Sequence, residues 1–172
     1  MTGTKVLGPC TPELEASLAE RRRLDQDRLD EVWQGVYHMN PGPHFDHGKA
    51  DRAFLFAIGP AVDAAGLQGG TQLNIGEEDD YRVPDQAYVD SETETGLYHA
   101  TAALVVEVLS PGDESRLKFG HYAAHEVDEL VIVDPETQQI EWYALVDGRY
   151  EATSRSEVLG VDTATVVDAM SW

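Results

Sequence analysis

Glu107 is the residue most at odds with its neighbours. It stands in the run AALVVEVL, residues 102–109, between two valines. An ionised carboxylate buried without a partner costs several kcal/mol, so Glu107 must be paired, protonated or bound to a metal. An ion pair with Arg or Lys would satisfy it, and so would a second carboxylate sharing a cation. Asp85, in Val83-Pro84-Asp85, supplies that second carboxylate. Proline there suits the first residue or the edge of a strand. If that strand pairs with the Glu107 run, the two acids face each other and repel. A Mg²⁺ or Mn²⁺ ion held by one or two carboxylates plus waters relieves such repulsion. The alternative for Asp85 is a cap on the turn after proline.

Three further residues could join this chemistry. Lys118 is one of three lysines and follows the Glu107 run on a short helical segment. An ammonium there could stabilise developing negative charge or orient a water, or it could simply be solvated. Glu31 opens an extended segment between two apolar stretches, and His47 heads a long helix. A lone histidine can equally be structural.

The elements that must carry these residues can be read from periodicity. Residues 11–28 (TPELEASLAERRRLDQDR) predict a short helix capped by Thr11 and Pro12, with Arg21, Arg22 and Arg23 at its solvated end. Val32, Gln34, Val36, His38 and Pro41 predict a hairpin bent at Gln34-Gly35. Residues 44–66 form the strongest helix, with a stripe of Phe54, Ile58, Ala61, Val62 and Ala65, a kink at Gly59-Pro60 and a stop at Gly66.

Strands are expected at 71–75, 83–89, 102–109 and 130–133, with an acidic turn at 77–80 and a helix over 113–125. Residues 139–146 and 149–153 predict a hairpin around Asp147-Gly148, and residues 161–169 are ambiguous. The fold class is α/β, with one mixed sheet in a single domain over residues 1–172. One short helix crosses between two core strands.

The length is enough for a substantial core, and hydrophobic residues make up 42% of the chain, which excludes wholesale disorder. Cys10 is the sole cysteine, so neither an internal disulfide nor a four-cysteine zinc site can form. No apolar run reaches the ~18 residues of a membrane span, and the expected compartment is the cytoplasm. With 12 Lys plus Arg against 32 Asp plus Glu, the net charge is −20. Non-specific duplex binding is therefore not expected of the bare monomer, whereas a carboxylate-lined site that recruits divalent cations is compatible with this charge, and so is an intracellular milieu of high ionic strength.

The block from Val105 through Glu107, Leu109, Ser110-Pro111-Gly112-Asp113-Glu114 and Ser115, then Lys118, Tyr122, Val127-Asp128-Glu129 and Val133-Asp134-Pro135, carries a resemblance. With Val83-Pro84-Asp85, the segment Asp30 to Val36 and His47-Gly48, it resembles the Uma-type restriction endonuclease family of the PD-(D/E)XK nuclease-like superfamily. The resemblance covers about residues 28–160. It implies a restriction-endonuclease-like fold, a homodimer, a divalent metal on Asp85 and Glu107, and Glu31 facing the same site. The superfamily usually has lysine two residues after the glutamate, where this chain has Leu109; Lys118, on the next helix, matches the family's displaced lysine, with Tyr122 one turn on. Gln34 replaces an acidic residue often found before the glycine. The expected activity is Mg²⁺-dependent hydrolysis of DNA, with Glu31 in the metal's outer shell and weak, metal-dependent DNA binding. The rival expectation is a catalytically inactive binding or assembly module on the same fold.

Overall fold

The computed structural model describes residues 5–7, 11–40, 42–71, 73–93, 96–112 and 114–172. Cys10, Pro41, Gln72 and Asp113, which carry parts of the expectations above, lie outside them.

The chain begins with β1 (Lys5–Val6) and α1 (Pro12–Arg23), followed by β2 (Glu31–Trp33) and β3 (Val36–Met39). Thr11 caps α1 by accepting a hydrogen bond from the Leu14 amide. Gln34 and Gly35 both take positive φ, which closes β2 and β3 through the expected two-residue turn. Then comes α2 (Phe45–Ala64), which continues through Pro60 without interruption and is followed by Gly66 at φ +72. Its Ala50, Ala53, Phe54, Ile58 and Val62 are buried, whereas Ala65 is exposed. Next are β4 (Leu67–Gly70), β5 (Asn74–Glu77), β6 (Asp80–Arg82), β7 (Gln86–Asp90), β8 (Tyr98–His99) and β9 (Leu104–Val108). A 3₁₀ turn (Ser115–Lys118) leads into α3 (Phe119–Ala124), then β10 (Glu129–Asp134), β11 (Gln139–Val146), β12 (Arg149–Thr153) and α4 (Thr163–Ala169).

The expected single mixed sheet is instead two six-stranded sheets. One has the order β1-β3-β2-β6-β5-β8 and the other β12-β11-β10-β9-β7-β4. The change of sheet occurs at Val83-Pro84-Asp85, between β6 and β7. Proline cannot donate to a ladder, so the strand expected over 83–89 starts only at Gln86. The strand expected at 71–75 is displaced to β5. β4 was not foreseen: Gly69 (φ +147) lies so close to β7 that a Cβ would meet the Ala87 carbonyl oxygen at 2.1 Å. The helix expected over 113–125 is split into the 3₁₀ turn and α3, and the ambiguous tail is α4.

In the second sheet, β9 and β10 run parallel and are joined by the 3₁₀ turn and α3, as expected of a crossover. One core cluster packs α2 and α4 on Leu104, Val106, Val108, Val131 and Val133. Another gathers Ala87, Val89, Val105, Tyr122, Leu130 and Ile132 on the opposite face. Strand alternation therefore puts Glu107 on the face of Val105, toward α3. The β7–β9 register pairs Gln86 with Val106, and one further step sets Asp85 opposite Glu107.

Candidate active site

Glu107 is 2% exposed, and polar groups from the crossover close over it. Lys118 Nζ donates to both carboxylate oxygens at 3.0 Å, Tyr122 Oη donates to Oε1 at 2.5 Å, and Ser115 Oγ donates to Oε2 at 3.3 Å. These donors follow from spacing: Lys118 and Tyr122 are four residues apart, and a helical turn puts them on one side. Lys118 Nζ also lies 2.8 Å from Glu31 Oε1. Glu31, 1% exposed, accepts the Val83 amide at 2.9 Å and Trp33 Nε1 at 2.7 Å. Val83 immediately precedes Pro84-Asp85, so Glu31 also anchors the segment that delivers Asp85.

Burial pushes the Glu107 carboxyl up to about 7; Lys118 opposes this, and Asp85 and Glu31 reinforce it. Burial works against the Lys118 ammonium, but Glu107 and Glu31 outweigh it and hold its pKa above the usual lysine value. Tyr122 is raised well above its ordinary value by burial and then by Glu107, so it remains a neutral donor.

Asp85 is the open side of the site, its side chain 26% exposed. Its Oδ2 accepts the Val108 amide at 2.7 Å, and its Oδ1 lies 2.9 Å from His47 Nε2. His47 Nδ1 in turn lies 3.0 Å from Ser110 Oγ, which fixes the ring from both sides. Burial opposes charge on this ring, but Asp85, with Asp51 and Glu107, holds its pKa above the ordinary value.

Of the four residues expected at the site, Glu31, Lys118 and Glu107 are joined by ion pairs, while Asp85 bonds the Val108 amide and His47 and acts on Glu107 through its charge. The solvated alternative for Lys118 is overturned, since the residue is only 8% exposed. Of the alternatives open to Glu107, the structure has the ion pair, and its partner is this same lysine. The α1 arginines and Arg28, which follows that helix, stand in ion pairs: Arg21 with buried Asp30 at 2.5 Å, Arg22 with Asp27, Arg23 with Glu20 and Arg28 with Asp25. The sequence reading missed Trp33, Ser110 and Ser115. Trp33 could have been found, because it lies two residues from Glu31 on one strand and so shares its face. The serines carry no comparable signal.

The donor set can be tested for a divalent cation. Three carboxylates, Glu31, Asp85 and Glu107, act on the Lys118 ammonium, and Asp85 has His47 as a second cationic partner. Asp85 and Glu107 offer the hard oxygen ligands such an ion takes, with waters completing the shell. Among the described residues no group of three or more His, Cys, Asp or Glu side chains forms a ready metal cage, so a cation here would be bound by few protein ligands. Asp85 and Glu107 are the carboxylates that could hold such an ion, and Glu107 would have to share its oxygens with Lys118, Tyr122 and Ser115.

No curated protein matches the chain. A solved structure described as "a putative nuclease belonging to DUF820 from Anabaena variabilis" is similar at 15% identity and a TM-score of 0.62, covering 81% of this chain and 90% of that one. At that identity the likeness shows the fold. A family model described as "Putative restriction endonuclease" matches residues 18–168, which span every residue of the cluster. The fold expectation therefore holds, and the chain belongs to the Uma2 restriction-endonuclease-like family.

Proposed function

We propose that this protein hydrolyses phosphodiester bonds in DNA with the help of a divalent cation, Mg²⁺ or Mn²⁺, held by Asp85 and Glu107. The observation that carries the reading is the Lys118 ammonium seated between Glu31 and Glu107, beside a half-open Asp85. When bound, the cation supplies positive charge to the scissile phosphate and makes a water nucleophilic at neutral pH. Lys118 takes the place that Leu109 vacates, presenting a fixed ammonium to the negative charge that builds during displacement. Glu31 holds that ammonium in place, since its oxygens already serve Lys118, Val83 and Trp33. Tyr122 and Ser115 orient Glu107, and His47 orients Asp85. The resemblance to the family adds a homodimer, in which two such sites would act on one DNA.

One observation favours a second reading, a binding or assembly module without turnover. Both Glu107 oxygens are already engaged by Lys118, Tyr122 and Ser115, so a cation would have to compete with these donors. Incubating plasmid DNA with the full chain and Mg²⁺ or Mn²⁺, beside Asp85→Ala, separates the two. Metal-dependent nicking that the variant lacks supports the nuclease; no nicking with either metal supports the module.

A further inference from the structure

The outer face of α2 carries features that the fold does not use. Phe45 and Phe56 are 80% and 63% exposed, the first being the most exposed large apolar side chain among the described residues. Lys49 and Arg52 lie between them, so the four residues follow each other at helical spacing along one ridge, with Phe45 and Phe56 about 16 Å apart along the axis. This ridge is opposite the face that packs Phe54, Ile58 and Val62 into the core. The Arg52 guanidinium sits 4.8 Å from the centre of the Phe56 ring. Gly48 stands between Phe45 and Arg52, and a Cβ there would meet nothing within 4 Å. Glycine in a helix costs about 1 kcal/mol relative to alanine, and no internal contact requires one here.

The charges single out the same ridge. Among the described residues, eight cations stand in ion pairs: Arg21, Arg22, Arg23, Arg28, Arg82, Arg116, Lys118 and Arg155. Of the four that do not, Lys5, Lys49, Arg52 and Arg149, only Lys49 and Arg52 are neighbours on one element. Their acidic neighbour Asp46 lies 3.5 Å from His44. A second copy is a poor occupant of this ridge, because a two-fold contact would set these cations against their own images. A polyanion satisfies them. Phenyl rings at a surface stack on bases whose faces are free, which a duplex does not offer and a single strand does.

We propose that the Phe45, Lys49, Arg52 and Phe56 ridge is the track for an unpaired nucleic-acid strand, which passes over the head of α2 to the Asp85 and Glu107 site. The proposal rests on the nuclease reading for its destination. His47, on the first turn of the same helix but on its inner side, bonds Asp85, so the head of α2, about one helix diameter across, lies between the start of the track and the site.

The test is fluorescence anisotropy of a labelled oligonucleotide, single-stranded and as a duplex, with the full chain in chelator so that nothing is cut; absence of single-strand binding there overturns the proposal. The expected result is tighter binding of the single strand. Lys49→Ala/Arg52→Ala should weaken both forms and flatten the salt dependence on the single strand by about 0.7 per lost phosphate contact. Phe45→Ala/Phe56→Ala should weaken the single strand about ten-fold or more and leave the duplex unchanged. Because all four side chains are exposed, unchanged Tm values are expected to confirm folding. Wild-type affinity in both variants overturns the proposal, and so does a shift in sedimentation caused by the phenylalanine variant, which would mark the ridge as a contact between copies. Cleavage is scored separately. Ridge-dependent binding by a chain that never cuts keeps this proposal and removes the nuclease; cutting with ridge-independent binding does the reverse.

Discussion

Lys118 Nζ lies 2.8 Å from Glu31 Oε1 and 3.0 Å from Glu107 Oε1, so one ammonium joins β2 of the first sheet to β9 of the second. The site therefore lies where the two sheets meet, and its lysine also contributes to folding.

That double role sets the first expectation. Removing one partner from a buried pair leaves uncompensated charge and costs about 3–5 kcal/mol. Lys118→Met should lower the unfolding free energy by about 3 kcal/mol or more in urea. Adding Glu107→Gln should restore part of that loss, because the two residues are in contact. If the two effects simply add, the lysine is not coupled to this glutamate.

The α1 arginines give a contrast within one turn of helix. Asp30 is 1% exposed and accepts from Arg21, Tyr37 and the Asn40 amide. Arg21→Ala should cost about 2 kcal/mol, because a buried acceptor loses its charged donor. Arg23→Ala, which breaks only an exposed pair with Glu20, should leave stability nearly unchanged. Equal effects in urea unfolding would contradict the burial pattern.

His121 predicts a pH dependence. Its Nε2 donates to the Ile75 carbonyl at 2.8 Å, and burial pushes its pKa down to about 4, with Arg82 and His125 adding to the shift. The unfolded ring titrates near 6.5. The unfolded chain therefore takes up a proton that the fold resists, and stability is lost as the pH falls from about 6.5 towards 4. In His121→Gln the decline over that window should be shallower than in the wild type. Parallel curves of urea midpoint against pH would refute this role.

Much of this was legible in the sequence because it is written locally. The Gln34-Gly35 and Asp147-Gly148 turns, the cap at Thr11 and the apolar stripe of α2 are short-range patterns. Glu107 was legible because a charge inside AALVVEVL needs a partner. The division into two sheets was not, since it depends on which short strands pair across the chain. Glu129, an acid at the edge of another apolar run, is buried as well. Glu129 is held by Trp142, Ser156 and the amides of Glu157 and Val158, which tie the segment before α4 to β10. The geometry gives it a structural role.

The central claim is that Asp85 and Glu107 form a cation-dependent hydrolytic site. Its most direct test is cleavage of end-labelled DNA by the wild type and by Asp85→Asn, each with Mg²⁺ and then with excess chelator. Because Asp85 is half-open, the variant should stay folded. Cutting by the wild type that chelator abolishes, and no cutting by Asp85→Asn, is the predicted result. Equal cutting by both proteins, or cutting that survives the chelator, would contradict the account.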